Sequence, residues 1–352
     1  MPMRAADLSP EDEEYFALLE SHRDVDMRRP LLSNFRVLAL FAYEALDGSH
    51  RHVVGANCEC ANIGGALCAE RSAICQLQLL PVAHVRKVYI VSDADVCLTP
   101  GTLCREFLSS SPLFTRQTPF LMRAAKCQPC TATLEELYPY PSLYDRVSKD
   151  DVLPFGRAFC DKAVVLAGAA ATGDSSSERS PFVQLQLQRM SPVERAVYLA
   201  ALDATALDTR DDLFPLRYAG AALFSDGDIK VTWQHKTLEY GSSLDPLSKL
   251  IPFIDEKQLG AARLRFDKDG DAVVAAAAAP PTATPVFVVQ VDQFGILHAP
   301  FARVRAFFYE YDFQDLVVLV HDAAGQLQRV AMGSLVAESP DCIAASTGAP
   351  SS

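Results

Sequence analysis

The sequence predicts an α/β fold present in two copies, and three observations carry that expectation. Asp47-Gly48, set between apolar runs, is a strong hairpin signal, so antiparallel pairing is expected around it. Val85-Arg86-Lys87-Val88-Tyr89-Ile90-Val91 reads as a strand with helical patterns on either side, which favours a parallel neighbour. The second half of the chain then repeats the signals of the first in the same order.

Each element has a local reason. Ser9-Pro10 opens the first helix, because serine caps and proline is tolerated at the first helical position. Tyr15, Phe16, Leu18 and Leu19 supply its apolar face, and the pattern fades near Asp24-Val25-Asp26. Residues 31–42 read as a loop and a buried strand, with a return strand through Val53-Val54. Ala73, Ile74, Leu77 and Leu80 recur at helical spacing, and Pro100 to Leu108 turns into a further helix with Cys104 near its start. Residues 168–180 are small and polar and read as a flexible linker.

Beyond it, Ser191-Pro192-Val193-Glu194 opens a helix with a capping-box pattern, and Tyr218 to Phe224 with Asp226-Gly227 repeats the hairpin. Thr237-Leu238-Glu239-Tyr240 is set against Asn57-Cys58-Glu59-Cys60, which puts Ser248-Lys249-Leu250 at the place of Cys68-Ala69-Glu70. Pro300 to Arg305 replaces Pro100 to Arg105, so the second copy keeps the hydrophobic pattern without the cysteines. Asp267-Lys268-Asp269-Gly270-Asp271 reads as a hairpin turn rather than a calcium loop, since its glycine is misplaced and no glutamate closes it. The stretch 275–284 and the tail after Glu338 are expected to be loose. The expected organisation is a first domain over 1–160, a linker over 161–189, a second domain over 190–337 and a tail over 338–352.

Composition narrows the function. A chain of 352 residues that is 49% hydrophobic can bury ample core in two domains, yet has no apolar run of eighteen residues, so no membrane span is expected. A net charge of −12 argues against a polynucleotide partner and suits a small uncharged substrate. The opening residues lead into acidic positions, so neither secretion nor organelle import is expected, and a cytoplasmic location is. Ten cysteines in such a chain are expected to be reduced thiols, some of them metal ligands.

The chemistry is concentrated in residues 57–71. Cys68-Ala69-Glu70 sets a potential thiolate two residues before a carboxylate where a helix begins, and the positive end of the helix favours the thiolate. A carboxylate so placed can lie over a metal without ligating it and move protons. The bland alternatives are a solvated first-turn glutamate for Glu70, buried cysteines for Cys68 and Cys104, and a core aromatic at a strand edge for Phe35.

Together with Leu98 to Phe107, this segment resembles the cytidine deaminase family, in the branch acting on free nucleosides. The family pattern reads N-x-E-N-A, then C-A-E-R, then S-D-x-D…P-C-G-x-C-R. Asn57 and Glu59, Cys68-Ala69-Glu70-Arg71, Ser92-Asp93-Ala94-Asp95 and Pro100…Cys104-Arg105 fall into that register, and Thr131 to Pro139 resembles its closing T-V-x-E-L-L-P. The resemblance covers roughly residues 9 to 150. It implies a three-layer α/β/α fold with a mixed five-stranded sheet, duplicated here in the manner of the two-domain, homodimeric members. It also implies zinc held by Cys68 and Cys104, Glu70 as the proton carrier, Phe35 against the pyrimidine, Asn57 and Glu59 at the ribose hydroxyls, and Arg71 offsetting thiolate charge. The implied reaction is hydrolysis of cytidine or deoxycytidine to uridine or deoxyuridine, with ammonia released, in pyrimidine salvage.

One position departs from the pattern: the first cysteine of P-C-G-x-C is Gly101. Cys97 is the nearest replacement in sequence. Cys127-Gln128-Pro129-Cys130 is another, although in an extended strand its cysteines point to opposite faces. Two waters could instead complete a two-thiolate site. The remaining alternative is a metal-free, inactive pseudo-deaminase that binds nucleosides or forms dimers.

Overall fold

A computed structural model describes residues 3–61, 63–168, 179–259, 264–266, 272–274 and 283–336. The chain forms two units, one built on residues up to Pro141 and the other on Ser142–Leu335, and each is a mixed α/β structure.

The first unit starts with a two-residue strand β1 (Arg4–Ala5) and helix α1 (Pro10–Ser21). Ser9 caps α1: its hydroxyl accepts from the Asp12 N–H, and the Asp12 carboxylate accepts from the Ser9 N–H at 2.8 Å. Strands β2 (Val37–Ala45) and β3 (His50–Ala56) form the hairpin, with Gly48 at φ 77°, a left-handed conformation that glycine adopts without steric cost. Then follow α2 (Ala69–Leu77), β4 (Val82–Ser92), α3 (Thr102–Ser110), β5 (Pro119–Ala124), β6 (Cys127–Thr133) and the single turn α4 (Leu134–Leu137). The sheet order is β1-β6-β5-β4-β2-β3, parallel only between β4 and β5. The sixth strand is β1, which the sequence did not announce; pairing Arg4 with Thr131 and Ala5 with Cys130, it covers what would be a bare edge.

Alternation along β2 builds the layers. Leu38, Leu40 and Ala42 face α1, where Phe16 and Leu19 are fully buried, each burial stabilising by about 1.5–3 kcal/mol. Ala39 and Phe41 face the other way, where Phe41 meets Phe114 edge-on at 5.4 Å and α2 lies over the sheet. Gly55, paired with Ala39, is the contact point. A Cβ there would stand 2.2 Å from the Ala69 carbonyl oxygen and 2.4 Å from the Ala73 nitrogen. Only a residue without a side chain lets the start of α2 rest directly on β3.

The second unit contains α5 (Val152–Leu166), α6 (Pro181–Gln188), α7 (Pro192–Ala204), β7 (Tyr218–Phe224), β8 (Ile229–Trp233), α8 (Ile251–Leu259), β9 (Leu264–Phe266), β10 (Ala272–Val274), β11 (Pro285–Asp292), α9 (Ala302–Glu310), β12 (Val317–His321) and β13 (Leu327–Ala331). Its main sheet runs β13-β12-β11-β7-β8, the same order as β6-β5-β4-β2-β3, again with one parallel pair, β11 and β12. Strands β9 and β10 pair antiparallel around residues 267–271, which lie outside the described residues, as do 275–282 and 339–352 of the stretches expected to be loose.

Two expectations are corrected. The stretch 161–189 is not a linker over its length: the end of α5 and all of α6 fall inside it, and 169–178 lie outside the described residues. Val152, Cys160, Ala163, Val164 and Phe182 pack with Leu216, Tyr218 and Ile296, so α5 and α6 belong to the second unit. The alignment of the copies also shifts by three residues. An isolated bridge joins Cys58 to Leu67 in the first unit and His235 to Leu244 in the second. The Asn57 N–H donates to the Val37 oxygen as the Gln234 N–H donates to that of Tyr218. Asp245-Pro246-Leu247, rather than Ser248-Lys249-Leu250, therefore takes the place of Cys68-Ala69-Glu70. Thr232 replaces Gly55, its hydroxyl donates to the Pro246 oxygen, and α8 begins only at Ile251.

Candidate active site

Two helix starts converge on the site. Cys68 is the N-cap of α2 and Glu70 lies in its first turn; Gly101 is the N-cap of α3 and Cys104 lies in its first turn. The two sulfurs and a Glu70 carboxylate oxygen all lie within 4.8 Å of one another. Glu70 is 4% exposed and Cys104 is 0% exposed, while Cys68 is half-buried. This excludes the solvated-glutamate reading of Glu70. The positive ends of both helices favour negative charge here.

Arg71 adds a full positive charge. Its Nη2 donates to the Ala66 oxygen at 2.8 Å and to the Cys68 sulfur at 3.6 Å, and its guanidinium lies over the Phe107 ring. Its Nε is buried without an acceptor. The protonation states follow from this packing. The Cys104 thiol donates to Cys68, and with Arg71 this pulls the Cys68 pKa down to about 6. That same bond and burial push Cys104 well above the ordinary thiol value. Burial, then the neighbouring Cys68, raise Glu70 to about 7. One sulfur is ready to be a thiolate and one carboxyl holds its proton close to neutrality.

The donor set fits zinc, which takes cysteine sulfur readily, and Cys68 and Cys104 are the residues that would hold it. At Gly101 a Cβ would meet nothing within 4 Å, so the position of the family's further cysteine is open space. Cys97 is not part of this group: it is buried against β5 and β6, its sulfur 3.2 Å from that of Cys127 and donating to the Met122 oxygen at 3.2 Å. Arg105, which could pass for a surface charge, is 0% exposed. Its Nε donates to the Pro100 oxygen, Nη1 to the Leu137 oxygen and Nη2 to the Thr99 hydroxyl, each at 2.7 Å. It thereby ties the loop before α3 to the end of α4. Arg305 donates to the Pro300 and Leu335 oxygens in the same way.

Phe35, Asn57 and Glu59 cluster at the start of β2. The Asn57 side chain accepts from the Val37 N–H and donates to the Phe35 oxygen, both at 2.9 Å. Glu59 accepts from the Leu32 and Ser33 N–H groups at 3.0 Å and from the Ser33 hydroxyl, which keeps its carboxyl below the usual range. These side chains hold residues 32–37 in place. The sequence reading missed two further positioning residues. Asp93 accepts from the Arg36 N–H at 2.9 Å and pairs with its guanidinium, fixing the same segment, and its signal was the Ser92-Asp93 dipeptide of the motif. Gly55 had no signal beyond being a glycine inside a strand.

In the second unit Asp245, Leu247 and Val304 occupy the places of Cys68, Glu70 and Cys104, so among the described residues no equivalent ligand set stands at those places.

No protein-family model matches the chain, and no curated protein matches it. Among solved structures, a cytidine deaminase from Burkholderia pseudomallei is similar at 22% identity, covering 36% of this chain and 98% of that one, with a TM-score of 0.30. Cytidine deaminases from Mycobacterium leprae and Mycobacterium tuberculosis are similar at 18% and 17% identity, covering 40% and 42% of this chain and 94% and 95% of theirs, with TM-scores of 0.28 and 0.27. Among the described residues no helix is long and apolar enough to cross a membrane.

Proposed function

We propose that this protein is a zinc-dependent hydrolase that converts cytidine or deoxycytidine to uridine or deoxyuridine with release of ammonia. The observation that carries the reading is the convergence of Cys68, Cys104 and a buried Glu70 within 4.8 Å at two helix starts. Zinc, when bound, supplies Lewis acidity that lowers the pKa of a water. Glu70 takes a proton from the attacking water and delivers it to N3 of the pyrimidine; it then takes the second proton from the new C4 hydroxyl and passes it to the amine, which leaves as ammonia while C4 becomes a carbonyl. In the metal-free chain burial raises the Glu70 pKa to about 7, within the range where a carboxyl both gives and accepts protons.

Asn57 and Glu59 are proposed to receive the ribose hydroxyls and Phe35 the pyrimidine face. Arg71 balances the thiolate charge. We further propose a cytoplasmic homodimer acting on free nucleosides, with no nucleic-acid partner. The net charge of −12 supports the last point.

Gly101 favours a second reading, a nucleoside-binding protein without turnover. Metal analysis of the purified chain together with a cytidine absorbance assay separates the two. Zinc and turnover together are the expected result; nucleoside binding without either would establish the second reading.

A further inference from the structure

Cys97, Cys127 and Cys130 form a second group of thiols that the deamination chemistry does not use. Cys127 and Cys130 were expected on opposite faces of β6. A bulge changes that: between the pairs Met122–Cys130 and Ala124–Cys127, β5 advances two residues and β6 three. The extra residue turns both cysteines toward the loop that follows β4.

Cys97, from that loop, meets them. Its sulfur is 3.2 Å from the Cys127 sulfur, its N–H donates to the Cys127 sulfur at 3.2 Å, and Cys130 lies within reach of it. Two sulfurs held by one tetrahedral zinc at about 2.3 Å stand roughly 3.8 Å apart. The closer contact here, with the Cys97 and Cys130 thiols donating to backbone oxygens of Met122 and Gln128, is that of a thiol pair.

We propose that Cys97 and Cys127 are an oxidisable pair that closes to a disulfide when the protein meets a hydroperoxide. Cys127 is half-buried whereas Cys97 is 7% exposed, so Cys127 is the sulfur that a peroxide reaches first. Cys127 therefore attacks the peroxide. Its sulfur takes one oxygen as the O–O bond breaks, giving a sulfenic acid and the alcohol of the hydroperoxide, or water when the oxidant is hydrogen peroxide. The Cys97 sulfur then attacks the Cys127 sulfur, the S–S bond forms, and hydroxide leaves with the Cys97 proton as water. The two thiols lose two electrons and the peroxide gains them. The bond would pin the loop four residues before Gly101, the N-cap of α3.

The test uses the full chain, freshly reduced and freed of reductant, then titrated with hydrogen peroxide and quenched with N-ethylmaleimide. Non-reducing peptide mapping with tandem mass spectrometry reads the bonds. The expected product links Cys97 to Cys127, disappears in Cys97→Ser and in Cys127→Ser, and persists in Cys130→Ser. Recovery of both cysteines alkylated, at peroxide levels that oxidise other thiols of the chain, would overturn the proposal. So would a Cys127–Cys130 bond as the main product, or a zinc ion lost on Cys127→Ser but kept on Cys104→Ser, which would make the cluster a metal site. None of these readouts depends on deaminase activity.

Discussion

The proton-carrying role proposed for Glu70 is tested by the difference between a carboxylate and its amide. Glu70→Gln keeps size and one hydrogen-bonding oxygen but cannot carry the proton. It should leave zinc content unchanged and lower kcat by roughly 100- to 10,000-fold, measured by cytidine absorbance and metal analysis. A variant that turned over normally would remove the assigned role. The raised pKa makes a second, activity-independent prediction. A carboxyl raised from 4.5 to about 7 stabilises the fold fully below pH 4.5, and that contribution is lost as pH rises through 7. In metal-free protein, the stability of the parent relative to Glu70→Gln should fall by about 3 kcal/mol across that window. Cys68 acts with the opposite sign: its contribution is present above pH 9 and lost as pH falls through about 6. Denaturation curves that stay parallel at every pH would show that Glu70 is not buried as described. Gly101 gives a third prediction. A Cβ there meets nothing, so Gly101→Cys should fold and hold zinc more firmly against a chelator, whereas Cys97→Ser should leave zinc retention unchanged.

At the scale of elements, the placement of α2 decides whether Cys68 and Glu70 reach Cys104. Gly55→Ala puts a methyl group 2.2 Å from the Ala69 oxygen, a backbone atom that cannot swing away. The cost should be at least the ~1–3 kcal/mol usual for overpacking, and zinc retention should fall with it. Equal zinc retention in Gly55→Ala and parent would mean that α2 tolerates the shift. What could be read from the sequence divides along the same line. Ser9-Pro10, Ser191-Pro192, both hairpin turns and the Cys68-Ala69-Glu70 motif were legible because each is a local signal whose cause lies within a few residues. The register of the second copy was not. Val37 to Ala56 spans 20 residues and Tyr218 to Trp233 spans 16, yet the Asp-Gly turn at the centre is the same in both. The shortening is shared by both strands, leaves the hydrophobic alternation intact and so leaves no mark. The bulge in β6 is equally silent, because it depends on how β5 pairs. The buried state of Arg105 depends in part on the Leu137 carbonyl, more than thirty residues away.

At the scale of the whole molecule, the second unit keeps the sheet order, the packed core and even the buried arginine, while Asp245, Leu247 and Val304 stand where the site would be. Retention of structure without ligands predicts a division of labour that matched substitutions can expose. Arg105→Ala and Arg305→Ala each strand buried backbone carbonyls, at about 1–3 kcal/mol per unsatisfied group, so both should lower the melting temperature. Their effects on metal should differ. Arg105 holds the loop that leads into Gly101 and Cys104, and its removal should loosen zinc; Arg305 leads only into Val304, and its removal should not. Zinc in the parent should approach one ion per chain and fall to none in Cys68→Ser or Cys104→Ser. Melting temperature and zinc measured on the same samples keep general unfolding apart from loss of the site. If Arg305→Ala stripped zinc as completely as Arg105→Ala while the chain remained folded, the second unit would be supporting the metal site directly, and its reading as a unit without a part in the chemistry would have to be abandoned.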